Sequence, residues 1–232
     1  MDKKITSIIF DWDNTLFNFN DYWEVAHEEA FNQFGFYHLI DYGVFISKYK
    51  YFDKLLWEDV LNEKISLDDL RIKRLVNTLD YFDIKIDDVQ AYLFFNVFFQ
   101  ILLKKIEPNY PLIDKINRLR KNYQLCILTN GKLEEQKEKI RRFKFEGLIP
   151  YYVSEEIGYE KPNEKAFLYV LNNIGALPSE TVMIGDSLDN DIKPAAKLGL
   201  TTIYIGKKRN TIADYSFTDI DGAIDLLMNG KR

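Results

Sequence analysis

The sequence predicts an α/β fold: a doubly wound parallel sheet of Rossmann-like form with an inserted all-helical domain. The beginning and the latter half of the chain alternate short apolar runs with amphipathic helical stretches, the pattern of a parallel sheet wrapped by helices. Residues 17–105 break that alternation, because they keep helical spacing and contain no isolated strand pattern. The expected division is a core of residues 1–16 and 106–232 around a helical insert of residues 17–105.

The first strand is expected over Ile5 to Phe10. In the insert, Tyr22, Ala26, Ala30 and Phe34 recur at helical spacing and predict one buried face. The phenylalanine-rich run Tyr92 to Leu103 is interrupted by Asn96 and Gln100 and is too short to span a bilayer, so a buried helix at the centre of the insert is expected. Helices are then expected near 111–121, 132–142, 163–174 and 189–198, with Gly175 and Gly199 as C-terminal stops. The strands between and after them are Gln124 to Leu128, Tyr151 to Val153, Thr181 to Ile184 and Thr201 to Ile205.

The 232 residues include 36 acidic and 31 basic side chains, a net charge of -5. The two signs are interleaved, without the basic patch that a nucleic acid polymer requires as a partner. The start MDKKITSIIFDWD has too short an apolar stretch for a signal-peptide core or a membrane span, so neither export nor a membrane partner is expected. Cys126, the single cysteine, lies in the apolar run QLCIL and is expected to be a buried thiol, compatible with a reducing cytoplasm.

Four acidic residues stand at the ends of two apolar runs, Asp11 and Asp13 in IIFDWDNTLF and Asp186 and Asp191 in VMIGDSLDNDI. Crowded carboxylates are costly to desolvate, so such a cluster makes most sense around a divalent cation and a phosphate. In a doubly wound sheet the carboxyl ends of the strands form the ligand crevice. Asp11 follows SIIF, Thr129 follows CIL, Lys161 follows the third strand by a loop, and Asp186 follows VMIG, so four segments converge on one edge. Alternation at the strand end turns Trp12 into the core. His27 and His38 lie outside these segments and are expected to pack or face solvent.

In order and wording these segments resemble the four motifs of the haloacid dehalogenase-like superfamily. Asp11-Trp12-Asp13-Asn14-Thr15-Leu16 is similar to motif one, Thr129-Asn130-Gly131 to motif two, Lys161-Pro162 to motif three, and Gly185-Asp186-Ser187 through Asp191 to motif four. Any one of them alone also reads as a plain turn or helix cap. The 118 positions between Asp11 and Thr129 resemble members that carry a helical cap there, whereas the 32 positions between Thr129 and Lys161 leave no room for a large second cap.

The resemblance implies that Asp11 attacks phosphorus to form an aspartyl phosphate, while Asp13 protonates the leaving oxygen and later activates water. It implies Mg2+ as cofactor, held by Asp11, the Asp13 carbonyl, Asp186 and Asp191, and phosphate binding by Thr129, Asn130 and Lys161. Thr15 would orient the nucleophile loop. Four aspartates outweigh one Mg2+ and one lysine, so one carboxyl is expected to keep a proton, and Asp13 is the candidate. Dehalogenases and phosphonate-cleaving members lack a carboxylate at the position of Asp13, which points to phosphoryl transfer. The expected partner is a small phosphorylated metabolite; Thr129-Asn130-Gly131 and the stretch Ser154 to Gly158 resemble the branch of house-cleaning 5'-nucleotidases, which implies a nucleoside 5'-monophosphate. Sialic acid 9-phosphate, sugar-phosphate and phosphoglycolate phosphatases, a phosphomutase and a non-catalytic phosphate sensor are the alternatives. A monomer or homodimer is expected.

Overall fold

A computed structural model describes residues 4–62, 64–208 and 212–229. The chain forms two compact units, Met1–Asn20 with Ile106–Arg232, and Asp21–Lys105. Strand β1 (Ser7–Phe10) leads into four helices, α1 (Phe19–Gln33), α2 (Tyr42–Leu61), α3 (Leu67–Asp80) and α4 (Asp88–Lys105). The alternating part resumes with α5 (Tyr110–Leu119), β2 (Gln124–Thr129), α6 (Leu133–Arg142), β3 (Tyr151–Val153), α7 (Ser154–Ile157) and α8 (Glu164–Ile174). It ends with β4 (Thr181–Gly185), α9 (Lys193–Lys197), β5 (Thr201–Ile205), β6 (Tyr215–Phe217) and α10 (Ile220–Asn229).

The strands form one parallel sheet in the order β3-β2-β1-β4-β5-β6. β1, β4 and β5 are buried throughout, as mainly apolar strands in a sheet covered on both faces should be. One side of the sheet packs Ile9, Cys126, Leu128 and Met183 against Phe167, Val170 and Leu171 of α8. Asn163 caps α8 through its side chain, and Gly175 ends it in the left-handed conformation at φ 65. Phe10 pairs with Ile127 on one side and Ile184 on the other, so the three central strands end at nearly one level.

Three expectations are corrected. β6 was not expected, because three residues, only partly buried, carry too little pattern to read. The helix expected over 189–198 instead opens with a π-helical turn at Leu188–Ile192 before α9, a distortion common at functional sites. α4 is buried on one face only: Ala91, Phe94, Phe98 and Leu102 are covered, while Tyr92 is 55% and Leu93 50% exposed. Among the described residues, no single helix is long and apolar enough to cross a membrane.

Within Asp21–Lys105, Ser66 and Asp69 form a reciprocal capping box at the start of α3, and Asp41 caps α2. The interior of this unit is aromatic. Trp23, Phe45, Tyr49, Phe94 and Phe98 surround His27, which is fully buried. His38 is exposed.

Candidate active site

β1 ends at Asp11, whose N–H donates to the carbonyl of Ile184 at 2.8 Å and so continues the strand pairing one residue further. The chain then turns sharply. Asn14 takes φ 62, a conformation asparagine tolerates better than most residues, and its Oδ1 accepts from the N–H of Asn20 at 3.0 Å. That turn brings Thr15 back over the strand end, where its Oγ1 donates to Asp11 Oδ2 at 3.0 Å. Trp12 points the other way and is buried against Phe17, Phe143 and Phe145.

Carboxylate oxygens of Asp11, Asp186 and Asp191 lie within 4.8 Å of one another, with Asp11 and Asp191 buried. Lys161 closes the group: its Nζ donates to Asp11 Oδ1 at 2.7 Å and to Asp191 Oδ1 at 2.6 Å. The other oxygen of Asp191 accepts from the N–H of Ser187 at 3.0 Å, so the π-helical turn fixes the carboxylate it carries. Burial, only partly offset by Lys161, and repulsion from Asp191 push the Asp11 carboxyl up to about 6. Burial and the charges of Asp11 and Asp191 push Asp186 up to about 7. For Lys161, burial works against the ammonium, but Asp11 and Asp191 outweigh it and raise its pKa. An all-oxygen donor set of crowded carboxylates, of which Asp11 and Asp186 are raised chiefly by burial, fits a hard divalent cation, which would also relieve their mutual repulsion.

Asn130 secures the lysine from behind. Its side-chain amide donates to the carbonyl of Lys161 at 2.7 Å, and its Oδ1 accepts from the Lys161 N–H at 2.9 Å. The Lys161-Pro162 peptide is cis. Thr129 is buried at the end of β2. Gly131 has φ 122 and donates its N–H to Ser154 Oγ at 3.0 Å, which ties the loop after β2 to the end of β3.

Asp13 lies apart from the three clustered carboxylates. Its oxygens each accept from Lys139 Nζ at 2.6 Å, and Oδ2 also accepts from Gln136 Nε2 at 3.0 Å. Asp13 thus faces the ammonium of Lys139 and not the three clustered carboxylates. The Asp13 side chain is likewise not one of the grouped candidate metal ligands. Gln136 and Lys139 were missed because they sit in the polar run LEEQKEKIRR, which reads as a solvated face. The available signal was position: Gln136 falls on the stripe of Leu133, Ile140 and Phe143, where an apolar residue belongs.

The family model of haloacid dehalogenase-like hydrolases matches residues 5–199. The chain belongs to this family. As a haloacid dehalogenase-like hydrolase it is similar to the glyceraldehyde 3-phosphate phosphatase of Methanocaldococcus jannaschii, with 30% identity over 98% of this chain and 99% of that protein. It is also similar to the pyrimidine 5'-nucleotidase YjjG of Escherichia coli, with 27% identity over 85% of this chain and 84% of the relative. Among solved structures, the HAD-hydrolase YfnB of Bacillus subtilis, bound to magnesium, superposes with a TM-score of 0.84 at 24% identity, covering 97% of this chain and 100% of that one. That likeness concerns the fold of the hydrolase.

Proposed function

We propose that the chain is a Mg2+-dependent phosphomonoester hydrolase that acts on a small phosphorylated metabolite through an aspartyl phosphate on Asp11. The observation that carries this reading is Lys161 bridging Asp11 and Asp191 beside Asp186, with Asp13 two residues beyond Asp11 on a separate cation. An Asp11 oxygen attacks phosphorus while the bond to the ester oxygen breaks, and Asp13 gives that oxygen its proton. Water then attacks the same phosphorus and surrenders a proton to Asp13, which releases phosphate and restores the Asp11 carboxylate. Thr129, Asn130 and Lys161 bind the phosphoryl oxygens, with Lys161 supplying the positive charge. Asp11, Asp186 and Asp191, with the carbonyl of Asp13, hold Mg2+. The bound ion supplies charge neutralisation for an anionic nucleophile meeting an anionic ester.

The helical segment 17–105 takes the part of a cap that sets substrate choice. A cytoplasmic setting and a monomer or homodimer belong to the same proposal, the former compatible with Cys126 as a free buried thiol. The relatives' names divide between a triose phosphate and pyrimidine nucleotides, so the test must include both. Phosphate release is measured from glyceraldehyde 3-phosphate, pyrimidine and purine 5'-nucleotides, sugar phosphates and phosphoglycolate, with Mg2+ or EDTA and with Asp11→Asn as control. Metal-dependent release that vanishes in the variant is expected, and the best ester names the substrate class. A folded protein that releases no phosphate from any of them sinks the reading.

A further inference from the structure

α6 presents two side chains to the nucleophile loop that its polar sequence gives no reason to bury. Gln136 is 3% and Lys139 4% exposed, one helical turn apart on the same face. An ammonium is withdrawn from water only where an anion meets it, and here Lys139 Nζ contacts both oxygens of Asp13 at 2.6 Å. The rings of Phe19 and Phe17, with centroids 4.7 and 6.0 Å from that nitrogen, cover it. The Gln136 amide nitrogen, with two hydrogens, faces three acceptors: Asp13 Oδ2 at 3.0 Å, Thr129 Oγ1 at 3.1 Å and the Asn130 carbonyl at 2.7 Å. Thr129 Oγ1 also lies 3.3 Å from the Asn130 carbonyl, to which it can donate. One amide thus joins the acid–base candidate to the residues proposed to hold phosphate. Gly131 keeps that amide in reach, since a Cβ there would lie 3.2 Å from Gln136 Nε2.

We propose that Gln136 and Lys139 are positioning residues, which hold the Asp13 carboxylate where it exchanges a proton with the leaving oxygen and then with water. This role rests on the phosphatase reading above. It separates two steps that a purely structural ion pair would affect alike. Nitrophenolate is a weak base and departs without a proton, whereas an alkoxide requires one, and hydrolysis of the aspartyl phosphate requires Asp13 for either ester.

The test uses Lys139→Met, Gln136→Leu and Lys139→Arg in the full chain with Mg2+, on p-nitrophenyl phosphate and on the best alkyl phosphate of the panel. For the first two variants the expected result is a kcat on the alkyl ester lowered about 10- to 100-fold with KM held within about twofold. The pre-steady-state burst of nitrophenolate persists while its steady state slows, and Lys139→Arg recovers most of the loss. Wild-type kcat in both Lys139→Met and Gln136→Leu overturns the proposal, as do equal losses in burst and alkyl turnover with a raised KM. Crystals of wild type and Lys139→Met with beryllofluoride give a reading that needs no turnover. A displaced Asp13 carboxylate in the variant is expected, and an unmoved one overturns the role, whereas a wild type without phosphatase activity counts against the phosphatase reading itself.

Discussion

The carboxylate of Asp191 fills the space that a side chain at Gly185 would need, since a Cβ placed there would overlap its Oδ2, Cγ and Cβ atoms. The last residue of β4 and the π-helical turn after it are thus fitted to one another with no room for a methyl group. Gly185→Ala is expected to lower stability by about 1–3 kcal/mol through overpacking. It also weakens Mg2+ binding, because Asp191 can relieve the overlap only by leaving the carboxylate group. Urea unfolding with and without Mg2+ checks both parts, and a variant that keeps the wild-type midpoint and the wild-type Mg2+ response contradicts the fit.

Lys161 is the one cation in contact with both Asp11 and Asp191 among the described residues. Lys161→Met leaves those buried carboxylates uncompensated, an expected loss of about 3–5 kcal/mol in metal-free protein at pH 8. At pH 5 the loss shrinks, since the crowded carboxyls take up protons instead, and saturating Mg2+ restores part of it at pH 8. Chemical denaturation at the two pH values measures the difference, and a loss equal at both would show that packing of the lysine stem, not its charge, is at stake.

Asp11 and Asp186 are raised from 3.8 to about 6 and about 7. The folded state therefore binds more protons than the unfolded chain between these limits. Their contribution to metal-free stability is full below about pH 4 and disappears as pH climbs through 7. Mg2+ competes with the same protons, so the increase in melting temperature that it produces should be large at pH 8 and small at pH 5.5. A Mg2+-induced shift that does not change across this range would separate the ion from these carboxylates.

His27 behaves with the opposite sign. Burial first, then Arg74 and Lys50, hold its pKa well below the ordinary 6.5, and neither ring nitrogen has a hydrogen-bond partner among the described residues. The unfolded chain takes up this proton as pH falls below 6.5 and the folded state does not, so the histidine subtracts stability on the acid side. His27→Phe is expected to gain on wild type as pH drops from 7 to 5, with little pH-dependent difference above 7. The gap between the two urea midpoints across pH isolates this group from Asp11 and Asp186, and a constant gap would show that His27 takes up its proton alike in the folded and unfolded states.

The strands were legible because the central ones are buried on both faces and so appear as short, mainly apolar runs without alternation. The carboxylates were legible because Asp11 and Asp186 follow such runs directly, and register alone brings them together. Lys139 was not, since its counterion lies 126 positions away and nothing near it in the chain announces the pairing. β6 escaped because its three residues owe their strand conformation to pairing with β5, a tertiary cause that local pattern does not carry. The aromatic interior of the helical unit reads in sequence only as the stripe of Tyr22, Ala26, Ala30 and Phe34, and His27 is left between packing and solvent, because whether a ring is enclosed and a ring nitrogen meets a partner is decided by helices distant in sequence.

The double hydrogen bond from Asn130 to the Lys161 backbone has a consequence for motion. A lysine side chain ordinarily samples many rotamers, and fixing it on a ligand costs up to about 2 kcal/mol of entropy. Here the root of the side chain is pinned by an amide and its tip by two carboxylates, so the disorder is removed when the chain folds. An arriving anion meets a charge that is already held still.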